Sequence, residues 1–166
     1  MESRTFDFSL KTVTFNYTPL TATPMGKVRN IIQTKGNLIY SVPSSVSVYQ
    51  ALELMFEKNI GALLVVDDDK FSGIFTERHY ARKIILRGKS SRETTVGEIM
   101  TEQPVTVSPE TGIEECMRIM TAKKIRHLPV LDNGQLVGII SMGDVVRYML
   151  EEQKFIIESL EQYITH

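Results

Sequence analysis

The 166-residue sequence has one cysteine, no tryptophan and almost no net charge. The single Cys116 excludes an intrachain disulfide framework and fits a reducing compartment. A formal net charge of −1 gives no general attraction to nucleic acid or anionic lipid. No apolar run approaches the roughly 18 residues of a membrane helix, and the first residues lack the apolar stretch of a secretory signal. We therefore expect a soluble, cytoplasmic protein with no nucleic-acid or membrane partner.

Signals for catalysis and metal binding are also missing. His79, His127 and His166 show no metal-ligand spacing, and one cysteine leaves no CxxC motif. Cys116 falls on the apolar face of a predicted helix, so we expect it in the core. No nucleophile is accompanied by an oriented base. The sequence predicts neither an enzyme nor a required cofactor.

What the sequence does contain is an internal repeat without gaps. A shift of 65 residues, the interval from Val42 to Val107, aligns the chain with itself. The matching pairs include Met55/Met120, Lys58/Lys123, Ile60/Ile125, Leu63/Leu128, Val65/Val130, Asp67/Asp132, Gly73/Gly138 and Arg82/Arg147. A long spacing found only twice indicates a duplicated domain rather than a solenoid.

Each copy has the order β-α-β-β-α. Helices are predicted from apolar residues at i, i+3, i+4 and i+7, beginning at Val48 and Ile113, and from the stretches at 77–86 and 142 onward. Strands are predicted at 38–42, 62–66 and 71–75 in the first copy, and at 105–107, 128–131 and 136–140 in the second. The turns Asp67-Asp68-Asp69 and Asp132-Asn133-Gly134 join the last two strands as hairpins, the second with the stronger turn signal.

The repeat resembles the cystathionine-β-synthase (CBS) domain, and two such domains in tandem resemble a Bateman module. The resemblance rests on the duplication and on the strand-turn-strand stretches VVDDDKFSGIF and PVLDNGQLVGII. It also rests on a Gly-x-x-Ser/Thr-x-x-Asp ending, which is GIISMGD in the second copy and GIFTERH, with His in place of Asp, in the first. It covers roughly residues 36–150 and is greatest to small stand-alone CBS-pair proteins. It implies an α/β (α+β) fold with pseudo-two-fold symmetry whose two repeats pack their sheets together. We assign 1–35 to an N-terminal arm, 36–95 and 96–150 to the repeats, and 151–166 to a C-terminal helix extension.

Thr76 and Ser141 lie where a strand gives way to a helix. Free N–H groups and the positive end of the helix dipole favour an anion there, and the hydroxyl can either cap the helix or donate to a phosphate. Asp144 lies one turn further along. Its carboxylate can accept from two ribose hydroxyls, as in dinucleotide-binding folds, or it can simply offset the helix dipole.

The resemblance implies that an adenosine nucleotide binds in each of two sites. Matched residue by residue, the second site is Val105, Arg126, His127, Pro129, Ser141 and Asp144, and the first is Ile39, Ile60, Ala62, Thr76, Arg78 and His79. Arg126 and His127 are favoured as phosphate contacts over a solvated helix end. AMP, ADP, ATP and NAD(H) all carry the same ribose, so Asp144 does not choose among them.

His79 takes the position of Asp144 in the first copy. A neutral imidazole has one donor and one acceptor, so it cannot hold two hydroxyls in a bidentate contact. The two sites should therefore differ. The first site is either empty, with His79 a tolerated substitution, or it receives another part of a ligand, such as the second half of a dinucleotide whose phosphates contact Arg78.

The two ends lie outside the repeat. Residues 5–17 alternate apolar and polar side chains, and residues 25–33 favour a short helix, so the arm either folds back or pairs with a neighbouring chain. Residues 145–164 form one long helical pattern that should pack on the arm or across a homodimer.

Together these features predict a regulatory, energy-sensing module that binds an adenine nucleotide (AMP, ATP or NAD) and modulates an unidentified effector protein. The alternative is a protein-interaction or oligomerisation scaffold with vestigial ligand sites.

Overall fold

A computed structural model describes residues 26–36 and 38–164. The alternating stretch at 5–17 and His166 lie outside the described residues. The helices are α1 (Val28–Lys35), α2 (Val48–Lys58), α3 (Glu77–Lys83), α4 (Ile113–Lys123) and α5 (Met142–Ile164), with a short 3₁₀ turn at Ile85–Arg87. The strands are β1 (Ser41–Val42), β2 (Ala62–Asp67), β3 (Lys70–Thr76), β4 (Thr101–Glu102), β5 (His127–Asp132) and β6 (Gln135–Ser141). The mixed α+β fold class predicted from the sequence is confirmed.

The predicted hairpins form in both repeats and have the same geometry. Asp68 and Asp69 join β2 to β3 with φ of 48° and 58°, and Asn133 and Gly134 join β5 to β6 with φ of 49° and 81°. Two central residues with positive φ define the turn whose twist matches that of the flanking strands. The register also shifts at the equivalent step in both hairpins, Val65/Val66 and Val130/Leu131.

The first segment of each repeat departs from its predicted length. β1 contains only Ser41 and Val42, which pair in parallel with β2. In place of a strand at 105–107, Val107 makes a single parallel bridge to Val130. A two-residue strand that the sequence did not predict, β4, pairs with β3. Strands this short carry no periodicity from which they could be predicted.

The two sheets pack face to face, as the resemblance implied. One sheet has the order β1-β2-β3-β4, and the other contains β5 and β6. Ala62, Leu64 and Ile74 of the first sheet pack against Leu136 and Ile139 of the second. A hairpin alone cannot bury its apolar face, so each sheet supplies the cover for the other.

Each repeat also completes the core of the other. Val28 and Ile31 of α1, which precede the first repeat, are buried in the core of the second. Val96 and Ile99, at the start of the second repeat, are buried in the core of the first. Ile31 and Val96 are equivalent under the 65-residue shift, so this exchange is itself part of the duplication. Helix α1 of the N-terminal arm thus folds back onto its own chain. The domain boundaries assigned from the sequence stay predictions.

Cys116 is fully buried in the second core, as expected, and burial raises the pKa of its thiol to about 11. No helix among residues 26–36 and 38–164 is long and apolar enough to cross a membrane.

Candidate functional site

The first turn of α5 is closed by Ser141 and Asp144. The Ser141 N–H donates to Asp144 Oδ2 at 2.8 Å, and the Asp144 N–H donates to Ser141 Oγ at 3.1 Å. This reciprocal pair satisfies two N–H groups that the helix itself cannot pair. The capping role considered for these residues is therefore present in the structure.

His79 takes the same capping position at the first turn of α3. The Thr76 N–H donates to His79 Nδ1 at 3.1 Å, so Nδ1 must be the unprotonated nitrogen. The proton then lies on Nε2, which donates to Thr101 Oγ1 at 2.9 Å. Burial, together with the nearby charges of Lys83 and Arg78, lowers the pKa of His79 to about 4. The imidazole is neutral at physiological pH, and both of its nitrogens are engaged within the chain.

The Asp144 carboxylate also pairs with a lysine from outside the repeat. Lys35 Nζ, at the end of α1, lies 2.8 Å from Asp144 Oδ2 and 3.3 Å from the Ile139 carbonyl oxygen. The Asp144 side chain is 9% exposed. Burial opposes its ionisation, but the hydrogen bonds from Lys35 and the Ser141 N–H outweigh burial and hold the pKa of Asp144 below its usual value. A buried, ionised carboxylate therefore lies at the helix N-terminus.

A cavity of about 300 Å³ opens beside the N-terminus of α3. Both repeats contribute to its walls. The lining includes Thr76, Arg78 and His79 from the first repeat and Val105, Arg126 and His127 from the second. A separate recess of about 280 Å³ is lined by Lys35, Asp144, Arg147 and Tyr148, among others. The two helix N-termini thus face two different clefts.

Val105 lies in a different cleft from the one to which the sequence assigned it. It was grouped with Ser141 and Asp144, but it lines the cavity of Thr76 and His79. Thr101 pairs with Ile74 of β3, and Gln103, which follows β4 with φ of 47°, lines this cavity together with Pro104 and Val105. Ile39, which the sequence assigned to the first site, packs in the inter-sheet cluster beside Ala62 and Ile139.

Arg126 and His127 lie close to both clefts. Their side chains line the cavity beside α3, while the His127 backbone pairs with Ser141. Burial lowers the pKa of His127, as do Lys35 and Arg126, whereas Asp144 opposes the shift. His127 therefore lies within electrostatic reach of the Asp144 recess as well.

Three predicted site residues have other contacts. The Arg78 guanidinium donates to the Lys124 carbonyl oxygen at 2.5 Å, which joins α3 to the end of α4. Pro129 is buried in β5, where its carbonyl accepts from the Val107 N–H at 3.1 Å. Ile60 packs against the first core.

Lys35 and Thr101 are the site residues that sequence reasoning missed. Lys35 lies before the repeat, and Thr101 aligns with Gly36, so the duplication gave no signal for either. No group of three or more His, Cys, Asp or Glu side chains suited to a metal ion is found among the described residues.

Comparisons of this chain with known proteins all identify the same family. A family model for the CBS domain matches residues 28–86 and 96–151. The CBS domain-containing protein CBSX3, a mitochondrial protein of Arabidopsis thaliana, is 44% identical over 123 residues, covering 71% of this chain and 60% of the relative. This chain thus spans less than two thirds of that relative's length.

Solved structures agree with this assignment. A CBS-domain protein of Burkholderia ambifaria MC40-6 superposes with a TM-score of 0.74 at 48% identity, covering 76% of this chain and 96% of that one. The CBS domain pair of protein MJ0100, solved in complex with 5′-methylthioadenosine and S-adenosyl-L-methionine, superposes with a TM-score of 0.68 at 26% identity, covering 78% and 99% of the two chains.

Proposed function

Because this chain belongs to the CBS-domain family and carries two repeats, we propose that it is a regulatory module that binds an adenosine-containing ligand and modulates a separate protein. The ligand class is AMP, ADP, ATP or NAD(H). The binding sites are the cavity between the repeats beside α3 and the recess between α1 and α5 at Asp144, and the module acts as a cytoplasmic homodimer. Binding changes how the two repeats and the helices at their edges are held, and the effector responds to that change.

The observation that carries the proposal is the buried, ionised Asp144 at the N-terminus of α5. Its Oδ2 accepts from the Ser141 N–H and Lys35, whereas the only ion-pair partner of Oδ1 among the described residues is Arg147, at 3.9 Å. Oδ1 is therefore the oxygen that can accept from a ribose hydroxyl. The Lys35 side chain is 39% exposed and can turn from the carboxylate toward a phosphate.

The MJ0100 structure supports the choice of ligand class. That CBS pair is bound to two ligands that both contain adenosine. Adenosine is also the part that AMP, ADP, ATP and NAD(H) have in common, which supports proposing this class of ligand.

The cavity beside α3 is the weaker ribose site in this proposal. Both nitrogens of His79 already have partners within the chain, so the ring has no free donor or acceptor for a sugar hydroxyl. Arg78 and Arg126 at the same cavity suit an anionic group such as a phosphate.

One observation favours the scaffold alternative. Asp144 is paired with Lys35, and Arg78 is paired with the carbonyl of Lys124, so one charged group in each cleft has a partner without any ligand. A chain with vestigial sites would be stable in this arrangement.

A thermal-shift panel distinguishes the two functions. AMP, ADP, ATP, NAD and NADH are compared with GMP and UMP, which carry the same ribose phosphate but a different base. A ligand at 100 times its dissociation constant stabilises the folded state by about 2.7 kcal/mol. We expect an adenosine nucleotide, and not its guanosine or uridine counterpart, to raise the melting temperature. If no nucleotide does so at millimolar concentration, the scaffold function replaces the proposal.

A further inference from the structure

The long helix α5 has two apolar faces, and only one of them belongs to the core. Val145, Tyr148 and Met149 pack on the second repeat. A second face is exposed along the whole helix. In the first half of α5 it lies opposite the face that packs on the second repeat. Its apolar members are Val146, Leu150, Ile157, Leu160 and Ile164, which are 40%, 61%, 56%, 57% and 85% exposed.

This exposed face follows a heptad repeat. Leu150, Ile157 and Ile164 recur every seven residues and correspond to position a, while Val146, Gln153 and Leu160 correspond to position d. Alternating steps of four and three residues are the pattern by which two helices pair along a seam. Two and a half heptads are short for an isolated coiled coil. Because the packed first half of α5 already holds it as a helix, pairing does not have to offset the unfavourable free energy of helix nucleation.

The charges along α5 indicate which way a partner helix runs. The only charged residues of the last ten of α5 are Glu158 and Glu161, whereas residues 142–154 carry the basic Arg147 and Lys154 together with Asp144, Glu151 and Glu152. A parallel pair would place the two acidic ends side by side. An antiparallel pair instead places the acidic end of each helix, with Glu161, against the part of the other helix that carries Arg147.

We propose that the heptad face of α5 binds the same face of α5 in a second copy of this chain, with the two helices antiparallel. In this register Leu150 packs on Leu160 of the partner subunit, Val146 on the partner's Ile164, and Gln153 on the partner's Ile157. Arg147 and Glu161 both occupy position e, which faces position e in an antiparallel pair, so each Arg147 lies opposite the partner's Glu161. Lys154 falls near the two-fold axis, where its own Glu158, at 3.8 Å, reduces its repulsion from its copy.

The first test is sedimentation of the full chain over a range of concentrations. The variant Ile157→Glu/Leu160→Glu puts charges on the heptad face, and Phe155→Glu is the matched control, because Phe155 is apolar and 71% exposed on the same stretch but lies outside the a and d positions. We expect a wild-type dimer, an unchanged dimer for Phe155→Glu, and a dissociation constant raised by at least about tenfold for the double variant. Circular dichroism and the melting temperature check that the variants fold.

The second test fixes the direction of the helices. Leu150→Cys and Leu160→Cys variants are oxidised separately and as a mixture. Cys116 does not compete, because it is fully buried. An antiparallel pair gives a disulfide-linked dimer chiefly in the mixture, whereas a parallel pair gives one in each variant alone.

Three results would overturn the proposal. A dimer that is insensitive to the double variant would place the interface elsewhere. Cross-linking of Leu150→Cys alone would exclude the antiparallel pair. A monomeric wild type whose double variant is less stable would show that the face is covered by the chain's own first 25 residues.

Discussion

At the scale of single residues, His79 and Asp144 show how a duplicated site can lose its carboxylate and keep its fold. Both side chains accept a hydrogen bond from the backbone N–H of the residue three positions earlier, Thr76 or Ser141. This bond needs only an acceptor, which a neutral imidazole provides as well as a carboxylate does. What differs is the charge and the second oxygen, and these matter to a ligand rather than to the helix.

The neutral state of His79 predicts a pH dependence of stability. Its pKa of about 4 in the folded protein lies below the usual value of 6.5, so the unfolded chain binds a proton more readily. The resulting stabilisation is fully present above pH 6.5 and is lost as the pH falls through about 4. Since the ring is partly exposed, we expect the effect to be on the order of 1–2 kcal/mol.

Chemical unfolding at pH 7 and pH 4.5 measures this effect. His79→Asn is the matched variant, because the amide oxygen can still accept from the Thr76 N–H but does not titrate. The wild type should lose more stability between the two pH values than this variant. Equal losses would mean that His79 is protonated in the folded protein near its ordinary pKa. His127, whose pKa is also lowered, remains in both proteins and contributes equally.

At the scale of elements, α1 belongs to the second repeat in space although it precedes the first in sequence. Val28 and Ile31 are buried with Val130 and Val145, and Lys35 at the end of the same helix holds Asp144. A shift of α1 would therefore change the environment of the Asp144 carboxylate directly. This arrangement connects α1 to the proposed ribose contact.

Replacing Ile31 by Ala tests this packing. Ile31 is 5% exposed, and truncating a buried isoleucine leaves a cavity that costs about 2–5 kcal/mol. Gln33→Ala, on the exposed side of the same helix, should change stability by less than about 0.5 kcal/mol. Hydrogen exchange should locate the loss of protection for Ile31→Ala in β5 and β6. A loss confined to the first repeat would contradict the observed packing.

The elements that could be predicted from the sequence are those with a strong local signal. The hairpins were predicted from Asp67-Asp68-Asp69 and Asp132-Asn133-Gly134, the second more strongly because Asn and Gly tolerate positive φ. β4 and the position of Val105 could not be predicted, because they depend on pairing between Gly73 and Glu102, which lie far apart in sequence. The Lys35–Asp144 ion pair has the same cause, since it joins α1 to a helix more than a hundred residues later.

At the scale of the whole molecule, the duplication gives a symmetric frame with two unequal clefts. The hairpins, their bulges and the exchange of core residues all follow the 65-residue shift. The polar groups do not: one helix N-terminus has a buried carboxylate and Lys35, and the other has a neutral imidazole and Arg78. A ligand with a ribose should therefore bind one cleft more tightly than the other.

Calorimetric titration of the wild type, Asp144→Asn and His79→Asp with AMP, ATP and NAD tests this claim most directly. Asp144→Asn keeps the shape of the side chain and removes its charge. A lost charge-assisted hydrogen bond costs about 1.5–3 kcal/mol, so the affinity should fall roughly ten- to a hundred-fold. His79→Asp restores a carboxylate that can still accept from the Thr76 N–H, and it should add a second binding event. Unchanged affinity for every nucleotide in both variants would contradict the account and leave the scaffold function.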